Sequence, residues 1–259
     1  MDWQVLYKYR SMEPGSVDFT KSIVVDSRLY FASTASFNDP FDTLPATSVD
    51  GTAEELETYY RQLADEHLAD KGDDEKAEYV RRMTSASPAE RLEIAREALA
   101  DSSKKMTVCS LSACPDSVLM WSHYAANHTG ICLRFILPKN WAHPVAYAKE
   151  RPVLNRIKTS LAAEPDMSAW GRALLTKADF WSYEEEWRAL GGKGAGEQPF
   201  YPKALWGIIF GARATAKTRA LVAAWIEERG IPLDLMDAVP DRDTFRLNIV
   251  PQQGAIYSG

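Results

Sequence analysis

The chain has 259 residues, 46% of them hydrophobic and 25% charged, and a formal net charge of −6. That composition fits a folded globular protein able to bury one sizeable core, and three cysteines argue against a disulfide framework. The longest mainly apolar stretch, residues 204–212, is far short of the roughly 20 residues that span a bilayer. Met1-Asp2-Trp3-Gln4 lacks the basic start and apolar run of a secretory leader, so a cytoplasmic protein with no membrane partner is expected.

Strands are predicted at residues 4–9 and 28–32, where β-branched and aromatic residues are bounded by turn formers. Residues 51–104 read as an inserted helical segment. Thr52 and Glu55 make a capping box ahead of Leu56, Tyr59, Tyr60, Leu63 and His67 at helical spacing; Ser87, Pro88 and Glu90 start a second helix. Residues 54–78 hold ten acidic and three basic side chains, a local net of −7, which leaves the remaining 234 residues at about +1. The acidity therefore belongs to one segment, which reads as a solvated face, a lid over a site, or a docking face for a basic protein partner. Further strands are predicted at residues 106–111, 130–137, 144–148, 185–190, 205–210, 233–238 and 244–250. Helices are predicted at 116–126, 152–163, 168–176 and 215–229. Several strands follow one another without an intervening helix. That order favours a single α+β domain over residues 1–259, with a mixed, mostly antiparallel sheet and the helical insertion within it.

Three motifs are set aside. Residues 210–218 join a strand to a helix like a phosphate loop, but Ala216 stands where the loop needs glycine before Lys217. A helix start capped by Thr215 is the better reading, with at most weak anion binding. Cys109, Cys114, His123, His128 and Cys132 match no paired zinc-ligand spacing, and Cys109 and Cys132 sit in apolar strands. Residues 191–196 are a glycine-rich connection that reads as a mobile hairpin tip, able to close over a nearby site.

Four blocks carry polar groups that a plain core does not call for. They are Tyr7-Lys8-Tyr9-Arg10-Ser11; Tyr30 to Thr34 running into Asn38-Asp39-Pro40-Phe41-Asp42; Ser110-Leu111-Ser112 with Trp121, Tyr124 and the Gly130-led strand; and Glu184-Glu185-Glu186-Trp187-Arg188. In this order the blocks resemble a bacterial and phage family of unknown function, number two-nine-seven-one in the unknown-function series. The resemblance covers nearly the whole chain but implies no activity. A more distant similarity, to ADP-ribosyltransferases, implies one: a transferase-like sheet and NAD as substrate. It further implies a cation on an early strand, a Ser-Thr element and a late Glu-x-Glu. By that similarity Lys8 or Arg10 would hold the ribose and phosphates. Tyr7, Tyr9 or Tyr30 would sandwich the nicotinamide ring, Ser33 and Tyr30 would shape its pocket, and Asn38 and Asp39 would belong to the cofactor site. Glu186, with Glu184, would stabilise the oxocarbenium-like state as nicotinamide leaves.

The reading requires Arg10, Ser33 and Glu186 to meet in one cleft. The target, protein or nucleic acid, stays open, and a toxin or phage-conflict setting rests on the family resemblance alone. Plainer roles stand beside these: outward carboxylates alternating with aromatics for Glu184 and Glu186, a turn for Asn38-Asp39-Pro40, and core for Trp121 and Tyr124. Two alternatives remain, a metal-dependent nuclease or hydrolase using Asp39, Asp42, Glu184 and Glu186, and a non-catalytic module docking through residues 51–104. The transferase reading itself calls for no bound metal.

Overall fold

The computed structural model describes residues 2–103, 105–162, 167–192 and 194–252; Lys104, Ala163 and Lys193, which end or lie within three predicted segments, are outside them. Strand β1 (Trp3–Arg10) leads through helix α1 (Val17–Val24) to β2 (Arg28–Ser33) and β3 (Ala46–Ser48). Helices α2 (Ala53–His67), α3 (Asp73–Ser85) and α4 (Pro88–Ser103) follow. Then come β4 (Thr107–Ser112), α5 (Val118–Tyr124), β5 (Ile131–Pro138), β6 (His143–Pro144), β7 (Ala146–Ala148) and β8 (Val153–Asn155). Helices α6 (Arg156–Leu161) and α7 (Met167–Leu174) precede β9 (Thr176–Ala178), β10 (Glu186–Gly191), β11 (Gly196–Pro199) and β12 (Leu205–Phe210). Helix α8 (Ala216–Arg229) and strands β13 (Asp234–Pro240) and β14 (Leu247–Pro251) complete the order.

The chain divides into two compact units, residues 1–33, 106–147 and 179–259, and residues 34–105 with 148–178. The first holds a ten-stranded sheet of order β11-β2-β4-β1-β5-β12-β13-β14, with β10 on β4 and β6 on β10. Its pairings are antiparallel except β12 with β13, so the mixed, mostly antiparallel sheet expected from the sequence is present. Side chains alternate between the two faces. Leu6, Cys109, Leu111, Leu133, Phe135 and Ile208 pack on one face with Ile23 and Val24 of α1 and Val222 and Trp225 of α8. Tyr9, Cys132 and Ile209 pack on the other with Met120 and Trp121 of α5. Burial on both faces explains why β5 and β12 read as nearly continuous apolar runs. Each fully buried Leu or Ile here contributes about 1.5–3 kcal/mol.

The second unit carries the inserted segment, with three helices where two were expected, together with β3, β8, α6 and α7. The capping box forms: Glu55 N–H donates to Thr52 Oγ1 at 3.1 Å, and Thr52 N–H donates to Glu55 Oε2 at 2.7 Å. Ser87 and Glu90 form the same exchange at the start of α4. Tyr59, Tyr60, Met83, Ala95 and Ile157 make this unit's own core. Among the described residues no helix is long and apolar enough to cross a membrane.

Three predicted elements change further. The strand expected at residues 144–148 is two short strands, β6 and β7. The helix expected from residue 152 begins only at Arg156, because Val153–Asn155 pair in parallel with Ala46–Ser48 and Asn155 caps the helix by accepting from Lys158 N–H at 3.0 Å. The expected hairpin of the strands flanking residues 191–196 does not form among the described residues, since β11 pairs with β2 rather than with β10. Gly191 instead ends β10 against Phe31, where a Cβ would meet Thr107 Oγ1 at 2.4 Å.

Candidate functional site

The start of β10 is where buried charge collects in the first unit. Glu186 pairs in register with Ser112 of β4, and Ser112 with Tyr7 of β1, so these residues lie in one row across the sheet. Arg188, two residues on, shares the face of Glu186 and is wholly buried. Its Nε and Nη2 donate to the two oxygens of Glu186 at 2.8 and 2.9 Å, a bidentate pair inside the protein. The Glu186 N–H donates to the Tyr147 hydroxyl at 2.7 Å.

Glu184, only 3% exposed, ends a 3₁₀ segment from Asp179 and accepts the Tyr124 hydroxyl at 2.7 Å. Burial and that carboxylate push the Tyr124 phenol well above the usual tyrosine range, which keeps it a donor at neutral pH. The Ser112 hydroxyl donates to the Glu184 carbonyl at 2.6 Å and fixes the backbone. Glu185 bridges the two buried glutamates at φ 43°, a left-handed conformation that a non-glycine residue adopts at a cost of roughly 1–3 kcal/mol. Its own side chain is exposed.

Aromatic rings line the outer side. Tyr124, His123, Tyr183, Trp181 and Phe180 follow one another with ring centroids 5.8–6.4 Å apart. Phe180 is 67% exposed. A row of rings beside buried carboxylates is able to hold a planar, electron-poor ring by stacking.

Of the residues expected to form the site, Glu184, Glu186 and Tyr9 sit on this face. Tyr9 is packed edge-on to Trp121 at 5.1 Å and donates to the Cys114 carbonyl at 2.7 Å, so it supports α5 rather than lining an opening. Lys8 and Arg10 project from the opposite face of β1, toward Cys109. Lys8 Nζ donates to the Ser110 carbonyl at 2.8 Å, and Arg10 Nε to Thr20 Oγ1 at 3.1 Å. Ser33 pairs with Thr107, at the far end of β4 from Ser112, about 16 Å away at strand spacing. The convergence of Arg10, Ser33 and Glu186 is therefore absent: Arg10 is on the wrong face and Ser33 at the wrong end.

Tyr30 is exposed and packs on Phe19 at 5.8 Å. Asn38 and Asp39 belong to the second unit, where Asp39 Oδ1 accepts from Phe41 N–H at 2.8 Å as part of a turn. Asp42, in the same unit, is buried with Lys177 at 3.6 Å. Among the described residues no group of three His, Cys, Asp or Glu is arranged to hold a metal ion. Cys109 and Cys132 lie in the cores on opposite faces of the sheet.

Sequence reasoning placed Tyr124 in the core beside Trp121. Trp121 is wholly buried, with Nε1 donating to the Pro115 carbonyl at 2.9 Å, whereas Tyr124 is 37% exposed and reaches Glu184. Their three-residue spacing gave the shared helix side but not that difference in depth.

Residues 120–189 match the model of the family described as "Protein of unknown function (DUF2971)". That match bears out the family read from the motifs, over the stretch containing Trp121, Tyr124, the Gly130-led strand and Glu184 to Arg188. It does not extend to the blocks around Tyr7 and Asp39. Neither the curated proteins nor the solved structures contain a significant match.

Proposed function

We propose a revised form of the ADP-ribosyltransferase-like reading: the version that needed Arg10 and Ser33 beside Glu186 fails on their positions, and the NAD site is instead the Glu184–Glu186 edge of the sheet with its row of rings. The observation that carries this reading is the hydrogen bond from Tyr124 to the buried Glu184, set at the end of an exposed aromatic row. Trp181, Tyr183 and His123 supply faces for the nicotinamide ring. Glu184, oriented by Tyr124, supplies negative charge to the ribose as positive charge develops at its anomeric carbon. Glu186 is held by Arg188 and positions the strand. Lys8, Arg10 and Ser33 take no part in this arrangement. The target stays a protein or a nucleic acid.

The test is incubation with nicotinamide-labelled NAD. Release of nicotinamide by wild type, cut at least about 100-fold by Glu184→Gln and about 10-fold by Tyr124→Phe, is the expected result; losses of this order follow removal of one stabilising group. No release by the wild-type chain overturns the reading.

The depth of the Glu186–Arg188 pair favours a second reading, in which Glu-x-Glu-Trp-Arg is scaffold and the chain is a binding module. In that case Glu184→Gln lowers the melting temperature and changes no activity.

A further inference from the structure

A second surface of the first unit lies apart from the glutamate edge and is independent of the transferase reading. The loop between β13 and β14 and the segment entering α8 form the two walls of an open cavity of about 580 Å³. Both walls are fixed by backbone and side-chain hydrogen bonds. On the α8 side, Arg213 N–H donates to the His128 carbonyl at 2.9 Å and Gly211 N–H to the Gly130 carbonyl at 3.0 Å. Gly211 has no alternative there, because a Cβ would stand 2.2 Å from the His128 carbonyl oxygen. On the loop side, the Asp241 carboxylate accepts from Asp243 N–H, Thr244 N–H, Thr244 Oγ1 and Asn248 Nδ2 at 2.9–3.0 Å. These bonds hold its pKa down to about 2, so it stays anionic, and with Asp243 it leaves the lining's three arginines in excess by one charge.

Arg213, Arg242 and Arg246 line this cavity, and among the described residues none of the three side chains enters an ion pair or hydrogen bond. The neighbouring Arg219 is different: it is committed to Asp237 at 2.6 Å and to the face of Phe210. Phe245, between the arginines at the loop tip, is fully exposed, with a relative accessibility of 103%. A rigid turn thus holds a bare aromatic ring outward with three uncommitted guanidinium forks around it.

We infer that this cavity is a docking site for single-stranded nucleic acid, with Arg213, Arg242 and Arg246 on phosphates and Phe245 stacked on a base. The combination selects the partner. Guanidinium forks match phosphate oxygens in pairs, and a fixed ring accepts any unstacked base without reading its sequence. A carboxylate-rich peptide would satisfy the arginines but leave Phe245 in water.

Fluorescence anisotropy with a labelled oligothymidylate of about 12 nucleotides, a length within the range such surfaces cover, tests this. Wild type is expected to bind, with affinity falling as salt rises. Arg242→Ala/Arg246→Ala should weaken binding at least about 10-fold and reduce the slope of log affinity against log salt by about 1.4, as for two lost phosphate contacts. Phe245→Ala should weaken it about 5- to 100-fold with the slope unchanged. All three side chains are exposed, so melting temperatures should match wild type. Displacement by adenosine monophosphate at concentrations similar to the oligonucleotide's would mark a mononucleotide as the source of the same chemistry. Absent binding, unchanged binding in both variants, or equal displacement by poly-glutamate overturns the proposal. None of these outcomes depends on NAD turnover.

Discussion

At the scale of single residues, the chemistry follows from which face a side chain takes. Glu184 and Glu186 were legible because two glutamates flanking a strand start, followed by Trp187 and Arg188, have no purpose in an apolar core. Lys8 and Arg10 looked equally unusual. Yet strand alternation sends them to the face of Cys109, where each finds a local oxygen acceptor, and that assignment needs the register of β1 against β5. Arg188 is the sharpest case. Taking away a carboxylate that a fully buried guanidinium donates to through two hydrogen bonds is costly. Glu186→Gln alone should therefore lower unfolding free energy by about 3–5 kcal/mol in urea titration, whereas the double variant Glu186→Gln/Arg188→Met should recover much of that loss. Equal losses in the single and double variants would show that the pair is not what holds the strand. The thiols offer a second check. Burial and the Asp116 carboxylate raise Cys114 to about 11. The thiolate is the reactive form, so alkylation of Cys114 should speed up about tenfold per pH unit between pH 8 and 10. A rate that levels off below pH 9 would contradict the raised value.

At the scale of elements, local rules were reliable where one segment decides its own fate. The Thr52–Glu55 capping box needs four consecutive residues, and it forms as read. Thr52→Ala should cost about 1 kcal/mol, measured by loss of α2 stability in denaturant titration. Elements failed where a distant partner decides. Val153–Asn155 carry a helix-compatible pattern, but Ala46–Ser48 offer them a parallel ladder about a hundred residues away in sequence. The transition from α5 to β5 is likewise decided at long range: Gly130 admits the Arg10 carbonyl at 2.2 Å from where a Cβ would stand. Gly130→Ala must push β1 away, and about 3 kcal/mol or more of destabilisation is expected, comparable with overpacking a core.

Tyr60 of α2 and Tyr79 of α3 both lie in the second unit's core, and burial raises both phenols, Tyr60 the further. Burial, with Tyr59 beside it, raises the Tyr60 pKa to about 12, so folding favours the neutral phenol. The unfolded chain ionises near pH 10. Stability from this group is therefore complete below pH 10 and is lost as pH rises from 10 to 12. Tyr60→Phe should flatten that part of the stability profile, and an unchanged alkaline slope would exclude Tyr60 as its cause.

At the scale of the whole molecule, the net charge of −6 is unevenly shared. The first unit has 15 basic and 16 acidic residues, a net of −1, and the second has 15 basic and 20 acidic, a net of −5. The sequence pattern located most of that excess in residues 54–78, since a run of acidic residues at helical spacing is local information. It could not locate the basic cavity, because Arg213 meets Arg242 and Arg246 only through the pairing of β12 with β13. The two kinds of charge predict different salt behaviour. Net charge acts at a distance and is screened, whereas the salt slope counts the cations that touch phosphate. Glu66 and Glu97 are exposed and enter no ion pair among the described residues. Glu66→Gln/Glu97→Gln takes the chain from −6 to −4. This variant should bind the oligothymidylate more tightly at low salt, with the gain fading by about 1 M salt, where the screening length is about 3 Å. Its slope should approach the wild-type slope at high salt, whereas that of Arg242→Ala/Arg246→Ala stays shallower throughout. If neutralising the helices changes the high-salt slope as much as removing the arginines does, phosphate is bound on the helices rather than in the cavity.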